Sequence, residues 1–185
     1  MPTPFELHIL SRGYTPHLDA WADCASELVT FPLFGWAGKM VGYQRYNWRS
    51  EKTRSNVGRY FTWVSDLYKE WGWWGLRNVR VSETGPVFVT EGVWNAAKVQ
   101  NTGYSCIATL TATLPPSTIQ CIKYAVNRPL IALCDNDPES KAGLALAKWC
   151  THSFVTPSPY KDVGDMEQGE VNHYIRWCLD EIKHG

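Results

Sequence analysis

No apolar run in the 185 residues approaches the ~18–20 that a membrane-spanning helix needs. The N-terminus, MPTPFELHIL, lacks both the cationic start and the small-residue cleavage site of a secretory leader. A soluble protein of the cytoplasm, with no membrane contact, is therefore expected. The six cysteines, at 24, 106, 121, 134, 150 and 178, form no C-x-x-C pair. The signatures of a zinc ribbon and of a dense disulfide framework are thus absent. His8, His17, His152, His173 and His184 show no ligand spacing. Internal repeats, low-complexity tracts and linkers are missing as well, so the chain reads as packed parts of one unit.

Net charge is missing too, since 18 Lys and Arg balance 18 Asp and Glu. Binding to nucleic acid draws most of its non-specific affinity from phosphate neutralisation, so the distribution of charge matters more than its sum. Residues 1–80 hold ten basic side chains against seven acidic, and residues 81–185 hold eight against eleven. Within residues 39–59, Lys39, Arg45, Arg49, Lys52, Arg54 and Arg59 face only Glu51. A basic front joined to an acidic back suits an enzyme that holds a polyanion beside a metal-binding carboxylate cluster.

What is present is core material, 44% of the residues being hydrophobic, enough for one domain of this length. Thr15-Pro16 resembles an N-cap with proline at the first helical position, which predicts a helix from there to about Val29. FPLFGWAGKMVGYQRYNW then predicts a hairpin turning between Gly35 and Gly38. From residue 86 the rhythm becomes strand then helix: VFVT (87–90), SCIAT (105–109), PLIALC (129–134) and SFVT (153–156) each precede a helical pattern, the third being ESKAGLALAKWC and the last running from about Met166 to Lys183. That alternation predicts a parallel α/β sheet covered on both faces, with ligands at the carboxyl ends of its strands.

Three of those strand ends carry acids. Glu91 follows VFVT, Asp135 and Asp137 follow PLIALC, and Asp162 and Asp165 lie in the loop after SFVT. In a parallel sheet all three ends share one edge, and adjacent strands are ~4.8 Å apart. Hard cations such as Mg²⁺ take oxygen ligands, and a pair of them can activate a hydroxyl and stabilise a leaving phosphate. A lone acid after a strand is usually a helix cap or a solvated loop residue. Three at successive strand ends, one a D-x-D pair, repel one another unless a cation offsets them.

These motifs resemble the TOPRIM domain shared by bacterial and phage primases, type IA and II topoisomerases and some nucleases. The glutamate motif appears as VFVTEGVWNAA, the paired-aspartate motif as LIALCDNDPESKAG with Gly143, and the third acidic loop as YKDVGD. Asn95 departs from the pattern, standing where primases usually have Asp. Around them, CIATLTATL, the hairpin, Arg59-Tyr60-Phe61-Thr62 and KEWGWWGL resemble primase segments in the same order over about residues 31–166. The resemblance implies a TOPRIM fold, Rossmann-like with helices on both faces of a parallel sheet, at residues 83–185. A small basic α+β subdomain, helix plus hairpin, would precede it at residues 1–82. It also implies a DNA primase core in which Glu91, Asp135 and Asp137 are catalytic. Those three, with Asp162 and Asp165, would hold two Mg²⁺ or Mn²⁺ ions. Arg45, Arg59 and Lys69, and beside them Arg49 and Lys52, would contact nucleotide or template phosphates. The implied partners are a single-stranded DNA template, ribonucleoside triphosphates, and a replicative helicase or a separate zinc-module protein, in a bacterial cell or a phage-infected host. A metal-dependent nuclease and a non-catalytic binding module are the rival readings. Trp36 and Trp48, beside the basic hairpin, are the candidates for base stacking.

Overall fold

A computed structural model describes residues 1–50, 58–81, 84–111, 113–137 and 145–185. Lys52, Gly143, the boundary at 82–83 and the first half of the helix expected after PLIALC lie outside the described residues.

The chain opens with helix α1 (Pro4–Ser11), which starts at a full capping box: the Thr3 hydroxyl accepts from the Glu6 amide, and the Glu6 carboxylate accepts from the Thr3 amide. The helix expected from Thr15 to Val29 does not form. Residues 21–23 and 28–34 are instead antiparallel strands β1 (Trp21–Asp23) and β2 (Leu28–Phe34), paired as Trp21 with Thr30 and Asp23 with Leu28. Two causes decide this. Thr3-Pro4 is followed by the N3 glutamate that reciprocates the cap, whereas Thr15-Pro16 is followed by Leu18. In addition, Asp23 accepts from the amides of Ala25 and Ser26 at 3.0 and 3.3 Å, forming a local turn that reverses the chain. The aromatic and β-branched residues downstream then join a sheet.

Strands β3 (Met40–Asn47) and β4 (Tyr60–Val64) complete an antiparallel meander in the order β1-β2-β3-β4. The hairpin thus lies where the sequence placed it. Gly42 is required there, because a Cβ at this position would collide with the Trp63 carbonyl. A 3-10 turn (Asp66–Trp71) and helix α2 (Leu76–Val81) lead to the second half.

That half runs β5 (Val87–Thr90), α3 (Val93–Gln100), β6 (Cys106–Ala108), α4 (Pro116–Val126), β7 (Leu130–Cys134), β8 (His152–Val155) and α5 (Gln168–His184). The strands form a parallel sheet in the order β6-β5-β7-β8. Strand alternation splits its side chains between two cores. Phe88, Cys106, Ile131 and Leu133 pack with residues of α3 and α5. Val89, Ile107, Leu130 and Ala132 pack with α2 and α4 on the other face. Both faces are covered, as the apolar strand sequences require.

The antiparallel sheet shares the first of these cores. Phe31 meets Trp74 and Trp94 edge-on at centroid distances of 5.6 and 5.0 Å, and Tyr46 meets Trp94 at 5.4 Å. Trp74 exchanges two backbone hydrogen bonds with Ala108 on β6, at 2.9 and 3.0 Å, and its indole donates to the Asp19 carbonyl. The basic front is thereby locked against the acidic back, and a cleft remains between them.

Candidate metal centre and cleft

Strands β5, β7 and β8 are neighbours and run the same way, so the segments that follow them emerge on one edge. Glu91 follows β5 directly, Asp135 follows β7, and Asp162 and Asp165 flank and close a short 3-10 turn (Val163–Asp165) beyond β8. These four acids line a single cleft of about 530 Å³. Leu110, held in the left-handed region at φ 62, turns the chain after β6 so that its amide reaches the Glu91 carbonyl at 2.9 Å. Asp137 points toward Lys161, at 3.4 Å.

Crowding shows in the acid-base behaviour. Burial first, then the carboxylates of Asp162 and Glu91, push the Asp135 carboxyl up to about 7, with Lys161 pulling the other way. Burial raises Glu91 as well. Asp162 is raised by burial and by Asp165, against the pull of Arg12, and its Oδ1 is buried without a hydrogen-bond partner. Asn95 bridges the group: its Nδ2 donates to Asp135 Oδ1 at 3.4 Å, and its Oδ1 accepts from the Gly164 amide at 3.0 Å. Gly164 has to be glycine for this approach, since a Cβ would lie 2.6 Å from Asn95 Oδ1.

The facing bank comes from the first half of the chain and carries the opposite sign. Arg12, at the end of α1, lies 3.8 Å from Asp165. Arg59, Gln44, Tyr46 and Tyr60 line the same cleft. His8 Nε2 is 2.8 Å from the Tyr46 hydroxyl, and burial together with Arg12 and Arg59 keeps its pKa below the usual value. Of the basic residues singled out from sequence, Arg59 faces the cleft. Arg45 sits on the opposite face of its strand, Arg49 is ion-paired with Glu27, and Lys69 is paired with Asp66 at 2.9 Å. Trp48 is half-buried against Phe5 and His8, and Trp36 lies under the Arg80 guanidinium. Sequence reasoning missed Arg12, His8, Tyr46 and Lys161. Arg12 carried a signal, as the last basic residue before Gly13, whose φ of 93 ends the helix.

A divalent cation fits this donor set. The acids offer hard oxygens, Asp162 Oδ1 is an orphan, and burial together with the neighbouring carboxylates raises Asp135, a cost that a cation would offset. Among the described residues no group of three or more His, Cys, Asp or Glu side chains stands close enough to hold a metal ion by itself. Mg²⁺ commonly binds through one or two carboxylates and completes its shell with substrate phosphates and water.

The sign of the pH effect follows. Below about pH 4 Asp135 is protonated both folded and unfolded and costs nothing. As pH rises toward about 7 the unfolded chain releases this proton while the folded chain retains it, so stability falls across that window and then levels. Asp135→Asn is expected to have a melting temperature above that of the parent at pH 8 and close to it at pH 4. Adding Mg²⁺ at pH 8 should raise the parent's melting temperature and leave the variant's unmoved. Parallel pH curves for the two proteins would refute this.

Known structures share this fold. The DnaG primase catalytic domain bound to single-stranded DNA superposes with a TM-score of 0.65 over 97% of this chain, at 16% identity. The fold is that of a primase catalytic core. The primase fragment of the bacteriophage T7 primase-helicase protein matches at a TM-score of 0.59 over 88% of the chain, at 16% identity. The Aquifex aeolicus primase, comprising zinc-binding and RNA polymerase domains, gives 0.63 over 95%, at 15% identity. The chain spans 59%, 65% and 46% of the length of these three primase chains respectively. No family model matches the sequence, and no curated protein matches it. The primase likeness therefore resides in the path of the backbone, with the TOPRIM-type sheet as its centre. None of the helices described is long and apolar enough to cross a membrane.

Proposed function

We propose that this chain is the polynucleotide-synthesising core of a DNA primase, joining ribonucleotides into short RNA on a single-stranded DNA template. One observation carries the reading: acids from three strand ends and cations from the N-terminal half form the two banks of one cleft. Glu91, Asp135, Asp137 and Asp162, with Asp165 behind them, would hold two Mg²⁺ or Mn²⁺ ions, which supply Lewis-acid stabilisation of the transferring phosphoryl group when bound. Arg12, Arg59 and Lys161 would neutralise the triphosphate and orient it, which is most of what a protein contributes to phosphoryl transfer. Asn95 keeps the second and third acidic segments in fixed relation. The partners this reading implies are a single-stranded DNA template, ribonucleoside triphosphates, and a replicative helicase or a zinc-module protein.

The deciding experiment incubates the protein with single-stranded DNA, labelled ribonucleotides and Mg²⁺ or Mn²⁺. Short RNA is expected. DNA cleavage without nucleotides would make the chain a nuclease, and neither product would leave it a binding module; either result overturns the proposal. Arg59→Ala should raise KM for the nucleotide at least tenfold, because it removes a charge-assisted contact to phosphate. An unchanged KM with intact folding would remove Arg59 from the nucleotide path.

A further inference from the structure

The antiparallel sheet has a second face, turned away from the cleft. Directly paired residues of adjacent strands point to the same side, and the register Trp21–Thr30–Arg45–Phe61 places these four on the outer face. The next outward row is Pro32–Tyr43–Trp63. Trp21, Phe61 and Trp63 are 56%, 48% and 49% exposed, unusual values for large rings in a sheet. Tyr43 lies between two of them, 6.1 Å from Phe61 and 5.9 Å from Trp63, and the Arg45 guanidinium stands 5.4 Å from the Tyr43 ring centre. On the inward side Gln44 and Tyr46 are buried, while Tyr60 of β4 is itself 43% exposed. Gln44 bonds Thr62 at 2.9 Å, and Tyr46 packs on Tyr60.

We propose that this outer strip, Phe61, Tyr43 and Trp63 with Arg45 beside them, is a stacking platform for single-stranded nucleic acid. Three properties select that occupant. The rings of Phe61 and Trp63 are half exposed, and every base can stack on an aromatic ring whatever its sequence. Strands β2, β3 and β4 contain no Asp or Glu, so the carboxylate nearest in register on this face is Asp23 of β1, in the row Asp23–Leu28–Asn47, away from Tyr43 and Trp63. Phe61 and Trp63 are two residues apart on one strand, ~6.8 Å, and Tyr43 touches both, so the three rings form one continuous strip along which successive bases, ~3.4 Å apart when stacked, can lie. The strip lies beyond the catalytic cleft, so it would hold template outside the reacting segment. For the class of ligand the proposal rests on the function assigned above; the assay that tests it involves no synthesis.

The test is fluorescence anisotropy of a labelled oligothymidylate, with no metal and no nucleotide present, so that failure here and failure of primer synthesis are separate results. Phe61→Ala and Trp63→Ala should each weaken binding about tenfold, and the double variant about a hundredfold. Phe61→Leu with Trp63→Leu keeps the apolar volume and should lose affinity similarly, which covers the case where the alanine pair fails to fold. On an abasic strand of equal length, parent and variants should bind alike, since no base is left to stack. Unchanged affinity for oligothymidylate in a folded double variant would overturn the platform and leave the strip as a protein-docking face. A deficit of equal size on the abasic strand would overturn it too, since the loss would then be one of charge or shape.

Discussion

Asp135→Ala is expected to lower primer synthesis by a factor on the order of 10³ or more, corresponding to about 4 kcal/mol of barrier, without lowering the melting temperature. Both halves of that result follow from the same crowding. Asp135 is the carboxylate pressed by Asp162, Glu91 and Asp137 together, so it stands where a cation gains most from all of them. Alanine would take out one of the proposed ligands and one of the carboxylate charges that would attract the ion. Removing a buried, repelled carboxyl also relieves the folded state, so thermal unfolding at pH 8 should occur no earlier than in the parent. Asp137→Ala should abolish synthesis as well, although Lys161 then loses its ion-pair partner. Product counts on a denaturing gel, beside a melting curve, give both readouts. Full activity in the double alanine variant would end the two-metal reading.

Trp74→Ala is expected to destabilise the fold by about 3–5 kcal/mol, as for other large buried aromatics, lowering the melting temperature by on the order of 10 °C at this chain length. The indole is fully buried, meets Phe31 edge-on and donates to the Asp19 carbonyl. Its backbone is simultaneously the bridge to β6. The cavity would therefore open at the join between the two sheets, where the antiparallel half rests on the parallel one. Trp74→Phe restores most of the apolar volume but not the hydrogen bond and should fall between the two. Urea titrations followed by near-UV and far-UV circular dichroism check this, and a cost under 1 kcal/mol would show that the join does not depend on this side chain.

The parallel half was legible in the sequence because its signals are local and mutually consistent. Each short apolar strand is bounded by a turn and followed by a helical pattern, and an acid after a strand can only emerge at that strand's carboxyl end. The first thirty residues were not legible for the same kind of reason. Two Thr-Pro pairs compete as helix starts, and only the N3 position, Glu6 against Leu18, separates them. Choosing the second hid α1, and with it Arg12 and His8. Strand β4 carries no alternating signal, because its outward residues, Phe61 and Trp63, are aromatic where alternation predicts polar ones. Asn95 was visible as a departure from the family pattern, but its hydrogen bonds join residues 40 and 69 positions away in the chain, which spacing alone does not reveal.

That asparagine has a consequence for ligand entry. Its amide donates to Asp135 with one end and accepts from the Gly164 backbone with the other, so two acidic segments from different strands are tied to one side chain. The entropy of ordering them is lost once, when the chain folds, rather than at every encounter with an ion or a nucleotide. A ligand arriving from solvent meets carboxylates already at their stations.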